Sequence, residues 1–144
     1  MTDQEKLKIL FLCTGNSCRS QMAQGWANAL KDESLLAFSA GVSPTKVNET
    51  AIKVMADAGV DISEHTSKHV DELMGLDFDY VVTVCDNAKE RCPIFTGKAK
   101  LIHRSFDDPI EMFGTPDEII AEFRRIRDEI RTFVESMPES LEEM

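Results

Sequence analysis

Residues Lys8 to Leu12 form a short, unbroken apolar run, and the chain then passes through Cys13-Thr-Gly-Asn-Ser-Cys-Arg19-Ser20 before a helical pattern begins at about Ser20. A run this short without polar alternation predicts a strand covered on both faces, as in a parallel sheet. The helix extends to about Lys31. Leu35 to Val42, closed by Pro44, predicts a second strand. Asn48 to Ala58 places Ala51, Ile52, Val54, Met55 and Ala58 at helical spacing, with Gly59 as a stop signal. A shorter helix is predicted over Thr66 to Met74, ended by Gly75. Tyr80 to Val84 is a β-branched run that predicts a strand, and Ala99 to Phe106 a weaker one broken by Asp107-Asp108-Pro109.

The last helix is the best defined. Thr115-Pro-Asp-Glu118 supplies a capping threonine, a proline at the first helical position and a glutamate three residues after the cap. Ile119, Ile120, Phe123, Ile126, Ile130, Phe133, Val134 and Met137 then form an apolar stripe at the 3.6 period, which makes them core. Met22, Trp26 and Phe38 are expected in the core as well. The order strand, helix, strand, helix, helix, strand, strand, helix predicts an α/β fold, a three-layer sandwich on a four-stranded parallel sheet.

At 144 residues and 42% hydrophobic the chain makes one globular domain over 1–144, with 1–6 and 138–144 expected to be flexible ends. The formal charge of −10 argues against nucleic-acid and anionic-membrane partners, which call for a net basic face. The first residues are polar and Ile9 to Leu12 is too short for a signal peptide or membrane span, so a cytosolic location is expected. Cys13, Cys18, Cys85 and Cys92 would then be thiols rather than permanent disulfides. Neither pair has Cys-x-x-Cys spacing, and a structural zinc site is not expected.

In open parallel sheets the reactive groups collect beyond the carboxyl ends of the strands. Here the first strand runs into Cys13 and its loop, the Tyr80 strand into Cys85, and the Ala99 strand into Asp107 and Asp108. A tight strand-to-helix loop points backbone N–H groups inward and adds the positive end of a helix, so the loop suits a tetrahedral oxyanion. Thr14, Gly15, Asn16, Ser17, Cys18, Arg19 and Ser20 are the expected binding residues, with Gly15 and Asn16 tolerating unusual backbone angles. Arg19 can fold back as a two-pronged donor. The same field is expected to lower the pKa of Cys13 to make it a nucleophile, helped by a hydrogen bond from Ser17 or Ser20. The loop lacks a Gly-Lys-Ser/Thr ending, so it is not an ATP or GTP loop. The local charge agrees: Lys6 to Lys31 holds four bases and no acid, although acids are 26 of the 144 residues.

The run Phe11-Leu-Cys13-x5-Arg19-Ser20 resembles the signature of the low-molecular-weight protein tyrosine phosphatase fold, and Cys13-Thr-Gly-Asn-Ser-Cys-Arg-Ser-Gln-Met-Ala resembles its thioredoxin-coupled arsenate reductase branch. The likeness continues through Gly59-Val-Asp-Ile-Ser, Thr66-Ser67, Val81-Val-Thr-Val-Cys85, Arg91-Cys-Pro93 and Phe106-Asp-Asp-Pro109. It implies that Cys13 attacks arsenate, Asp108 protonates the departing oxygen, Cys85 attacks the Cys13 sulfur to release arsenite, and Cys92 moves the disulfide to Cys85–Cys92 for thioredoxin to reduce. Phosphate and sulfate would compete, and a monomer without a metal or cofactor is expected. If the strands ending at Cys13 and Cys85 are neighbours, their ends lie about 4.8 Å apart, within disulfide reach. The polar stretch Asp86 to Arg91 is expected to rearrange so that Cys92 reaches Cys85.

Three rivals can be stated. A phosphatase of this fold would leave Cys85 and Cys92 idle and would carry aromatic residues beside Asp-Pro, where this chain has Ile110-Glu-Met-Phe113. A phosphocarrier of sugar transport needs no arginine after five intervening residues, and a redox-sensing module would bind without turnover. His65 and His69 have no third partner in sequence and are read as surface residues, His103 as a strand residue, and Cys18 as loop-supporting. Family members that hold potassium beside the loop use acids where this chain has Gln24 and Lys68, so no potassium site is expected, and the Lys68 ammonium is expected in the ion's place.

Overall fold

The first strand, β1 (Leu7–Cys13), occupies the interior of the sheet because both of its faces are apolar: Ile9 through Leu12 have no exposed surface. In the structure, a computed structural model that describes residues 6–95 and 97–144, β1 pairs in parallel with β2 (Leu35–Gly41) on one side and β3 (Tyr80–Thr83) on the other. The sheet ends with β4 (Lys100–His103), also parallel, in the order β2-β1-β3-β4. This is the expected four-stranded parallel α/β arrangement. The register sets Cys13 opposite Gly41 and Leu12 opposite Thr83, so the chain ends of β1 and β3 leave the sheet side by side.

The helices are α1 (Arg19–Leu30), α2 (Glu49–Asp57), α3 (Asp86–Glu90), α4 (Pro116–Glu135) and α5 (Glu139–Glu142). α1 packs on β1 and β2, and α4 packs on α1 and α2. Trp26, 2% exposed, ties the two long helices by donating Nε1–H to Arg127 O at 3.1 Å. The cap of α4 is as expected: the Thr115 hydroxyl accepts from Glu118 N, and the Glu118 carboxylate accepts from Thr115 N. Of its stripe, Phe123, Ile126, Ile130, Val134 and Met137 are buried, while Ile119, Ile120 and Phe133 pack at the margin of the core. Each fully buried side chain of this kind contributes roughly 1.5–3 kcal/mol, so this face, rather than helix propensity, holds α4 in place. Met22 is buried, and Phe38 is half-buried with its ring edge-on to Phe78 at 5.6 Å.

Four local expectations differ from the structure. Thr66 to Met74 is not one helix. Only Val70–Leu73 forms a 3₁₀ turn, because the backbone before it is engaged elsewhere: Lys68 O accepts from Gly41 N at 2.9 Å and Lys68 N donates to Asn16 Oδ1 at 3.0 Å. His65 and His69 therefore do not share a helix. His65 Nδ1 lies 3.0 Å from Gln21 Oε1, and His69 caps the 3₁₀ turn. The last strand closes at His103 rather than Phe106. The segment between Cys85 and Cys92 carries the single-turn helix α3, with Ala88 fully buried, where a polar linker was expected. At the carboxyl end α5 docks Leu141 into the core, and Lys100 Nζ donates to the carbonyls of Leu141 and Glu142, where a flexible tail was expected. Residues 1–5 of the expected flexible start lie outside the described residues.

Candidate active site

The loop from Cys13 to Ser20 is shaped by where its carbonyls go. Those of Cys13, Thr14, Gly15 and Ser17 accept N–H bonds from Val42, Ser43, Thr45 and Asn48 at 2.8–3.2 Å. Asn16 O accepts from Gln21 Nε2 at 3.0 Å and Ser67 Oγ at 2.6 Å. With five successive carbonyls tied to the surrounding chain, the oxygens are kept out of the cavity that the loop borders, a concavity of the kind that binds anions. Asn16 makes the bend, at φ 48°, an angle that asparagine tolerates. Gly15 does not share that role. What it supplies is room, since a Cβ there would stand 3.1 Å from Thr45 Oγ1.

Asn16 has no exposed surface, and its side chain faces the protein: Oδ1 accepts from Lys68 N, and Nδ2 donates to Ser20 Oγ at 2.9 Å. That donation leaves the Ser20 hydroxyl hydrogen for Cys13 Sγ, 2.8 Å away. Ser20 thus takes the role open to Ser17 or Ser20; Ser17 lines the cavity. The expected low pKa of Cys13 is corrected by the structure. Cys13 is 3% exposed, and burial pushes its thiol above the ordinary value; the Ser20 hydrogen bond and then the Arg19 charge oppose this without overcoming it. Cys18, also buried, is pushed up as well, by burial first and then by the nearby Asp108 and Cys13.

The cavity, about 460 Å³, is lined by Cys13, Thr14, Gly15, Ser17, Cys18 and Arg19, with Asp108 and Ile110 opposite. Its far rim is Thr45, Lys46, Asn48, Glu49 and Thr50, none of which carries a chemical signal in the sequence. Arg19 donates Nη1–H to Phe106 O at 2.9 Å and pairs through Nη2 with Asp108 Oδ2 at 3.4 Å. Asp108 Oδ1 also accepts from Ile110 N. An entering oxyanion would therefore compete with Asp108 for Arg19.

Cys85 arrives from β3 on the other side of Arg19, in a second cavity of about 380 Å³ that shares Thr14, Arg19 and Asp108 with the first. It is 4% exposed, and its Sγ lies 3.3 Å from Thr14 Oγ1, which in turn accepts from Asn87 Nδ2 at 2.9 Å. Cys92, half-buried, is not with them. It sits beyond α3 beside an apolar cavity of about 210 Å³, its Sγ 3.5 Å from Pro93 O, and burial raises its thiol too. All four cysteines are free. Behind the loop, Lys68 Nζ donates to the carbonyls of Ser39 at 3.3 Å and Thr66 at 3.0 Å, while Ser39 Oγ donates to Gln24 Oε1. The roles of Ser67, Asp86 and Asn87 carry no sequence signal, because each depends on a partner at least 17 positions away.

Comparison with known proteins agrees with this geometry. Residues 8–144 match the model of the low molecular weight phosphotyrosine protein phosphatases. A protein of Halalkalibacterium halodurans described as an arsenate reductase is 44% identical over 135 residues, 91% of this chain and 97% of its own. Among solved structures, an arsenate reductase in the oxidized state aligns with TM-score 0.75 at 29% identity, over 90% of this chain and 95% of that one. Another, in the phosphate binding state, aligns with TM-score 0.67 at 28% identity, over 91% and 95%. A single-domain match of this extent, on a chain whose cysteine loop, arginine and aspartate converge on one cavity, places the protein: it belongs to the low molecular weight phosphotyrosine protein phosphatase family.

Proposed function

We propose that the protein is an arsenate reductase whose reducing equivalents come from three of its own thiols and then from thioredoxin. The observation that carries this reading is the second thiol: Cys85 is held against Thr14 of the oxyanion loop, across Arg19 from Cys13, where a phosphatase has no use for it. In the first step the Cys13 thiol attacks arsenic, RSH + HAsO₄²⁻ → RS–AsO₃²⁻ + H₂O. The thiol proton completes the departing water, which fits a Cys13 that burial keeps protonated until substrate arrives. Asp108, released from Arg19 by the oxyanion, carries that proton across. Ser20 holds the sulfur in line.

Cys85 then attacks the Cys13 sulfur, arsenic takes the electron pair, and HAsO₃²⁻ leaves with the Cys85 proton. Arsenic falls from +5 to +3 as a Cys13–Cys85 disulfide forms. Cys92 next displaces Cys13 from Cys85, and Cys13 recovers a proton. The five residues of α3 alone rise roughly 7.5 Å between the two cysteines, whereas disulfide-linked Cα atoms lie within about 6.8 Å, so α3 unwinds at this step. The resulting Cys85–Cys92 disulfide is reduced by the two thiols of thioredoxin. The protein acts in the cytosol as a monomer, with no metal or cofactor. Potassium is not needed, because the Lys68 ammonium already sits on the Ser39 and Thr66 carbonyls.

A phosphomonoesterase reading is favoured only by the size of the cavity, whose rim at Lys46 and Glu49 leaves room for more than an oxyanion. One measurement decides: arsenate-dependent NADPH oxidation with thioredoxin and thioredoxin reductase, beside p-nitrophenyl phosphate hydrolysis by the same sample. Turnover in the first well above the second is expected. Phosphate release without arsenate-dependent oxidation would overturn the reading.

A further inference from the structure

We propose that His103 is a positioning residue for the thiol cascade: by holding Asp86 in the first turn of α3, it keeps the Cys85–Cys92 segment helical and the two thiols apart until Cys85 has reacted with Cys13. His103 is the last residue of β4. Its Nδ1 lies 2.7 Å from Thr83 Oγ1 at the end of β3, and its Nε2 lies 2.9 Å from Asp86 Oδ1. The ring is thus braced from behind by the sheet. The His103 side chain is 24% exposed against 81% for Asp86, so the imidazole is the fixed partner and α3 is the element being held.

A single helical turn does not persist by itself, since nucleation costs more than its few bonds return. Beyond the burial of Ala88, side-chain ties at its start therefore bear on whether α3 is formed. Asp86 to His103 is one tie, and Asn87 Nδ2 to Thr14 Oγ1 at 2.9 Å is the other. Beneath the turn, Cys92 lines the 210 Å³ cavity together with Leu101, Ile102 and His103, so an apolar recess receives it while α3 stays wound.

The clamp protects against a side reaction. A small-molecule disulfide RSSR can oxidise the pair directly: Cys85–SH + Cys92–SH + RSSR gives Cys85–S–S–Cys92 + 2 RSH, with both electrons passing to RSSR. That product has lost Cys85 before any substrate has bound. Attack by Cys85 on Cys13 is not hindered, because Cys85 precedes the clamped turn. The purpose of the clamp rests on the proposed cascade, but its test does not.

Reduced protein without arsenate is exposed to oxidised glutathione, quenched by alkylation and mapped for the Cys85–Cys92 disulfide, while amide exchange is followed over 86–91. Loss of one charge-assisted bond at a half-exposed site should speed disulfide formation roughly three- to tenfold in His103→Ala and in Asp86→Ala. The double variant should be no faster than either single one, because both act through one bond. His103→Gln, whose amide can still donate toward Asp86, should keep part of the restraint and serves if the alanine variant folds poorly. Unchanged disulfide formation and exchange in the single variants, or additive effects in the double one, would overturn the proposal. Arsenate reduction by the wild type is scored separately, so a failed cascade and a failed clamp give different results.

Discussion

Replacing Gly41 by alanine should damage the oxyanion loop from a position that touches no substrate. Gly41 ends β2, opposite Cys13, and its N–H donates to Lys68 O. A Cβ there would stand 2.5 Å from Thr14 O, 2.9 Å from Asn16 N and 3.1 Å from Asn16 Cβ. None of these atoms can turn aside. Thr14 O is held by Ser43 N at 2.9 Å, and Asn16 is held through both its side chain and its carbonyl. The loop must therefore move bodily by about half an ångström or more to restore an ordinary contact, at a cost of roughly 1–3 kcal/mol. For a domain of this size that lowers Tm by about 3–10 °C. The same shift misaims the inward N–H groups; since 1 Å of misplacement costs about a hundredfold, kcat/KM for arsenate should fall roughly ten- to a hundredfold. The assay pairs thioredoxin-coupled NADPH oxidation with protection of Cys13 from iodoacetamide by arsenate, which reads anion binding alone. Gly25→Ala is the control. Its Cβ would meet Ile62 Cγ2 at 2.7 Å, a methyl on a stiff side chain with no exposed surface, and Met55 Cε at 3.1 Å, so it is crowded too. About 1 kcal/mol of helix propensity offsets part of the cost, but the atoms it displaces are not those of the loop. It should leave kcat/KM unchanged. A Gly41→Ala protein within twofold of wild type in both assays would refute the reasoning.

Cys92→Ser should complete one arsenate turnover and stop as a Cys13–Cys85 disulfide found by peptide mapping; sustained thioredoxin-driven turnover would remove Cys92 from the scheme. Ser20→Ala takes away the donor to Cys13 Sγ, so the Cys13 pKa should rise further and its alkylation at pH 7.5 should slow by roughly the worth of one hydrogen bond, about three- to tenfold. Cys13 and Cys18 are both raised above 9.0 in the folded protein, which therefore keeps protons the unfolded chain gives up. Stability should fall as pH rises past 9, by up to about 1.4 kcal/mol per pH unit for each thiol, and Cys18→Ala should flatten part of that slope in chemical denaturation. Potassium and sodium at equal concentration should give the same melting temperature in the wild type; a rise with potassium alone would displace Lys68 from the ion's place.

Much of the fold could be read before the structure because its signals are local. The apolar run before Cys13 was a buried parallel strand, and the Thr115 box began α4 where its residues require. The site outline followed from the same logic: in a parallel sheet the strand ends meet at one edge, so Cys13, Cys85 and Asp108 had to converge. Where the reading departed from the structure, a distant partner had overridden the local pattern. Thr66 to His69 gave up its helix to bond Asn16 and Gly41, and the polar stretch after Cys85 was wound into α3 by Ala88 burial and by ties to Thr14 and His103.

The chemistry divides along the same line. The residue types and their spacing already name a nucleophile, an anion fork, an acid and two further thiols. Only the tertiary structure decides how those groups stand in the resting protein. Burial raises the Cys13 thiol where its loop was expected to lower it, Arg19 is paired with Asp108, and a helical turn lies between Cys85 and Cys92. A sequence fixes which charges and donors exist along the chain, whereas desolvation and pairing depend on what the fold brings within a few ångströms, and those two effects set the protonation and reach of each group.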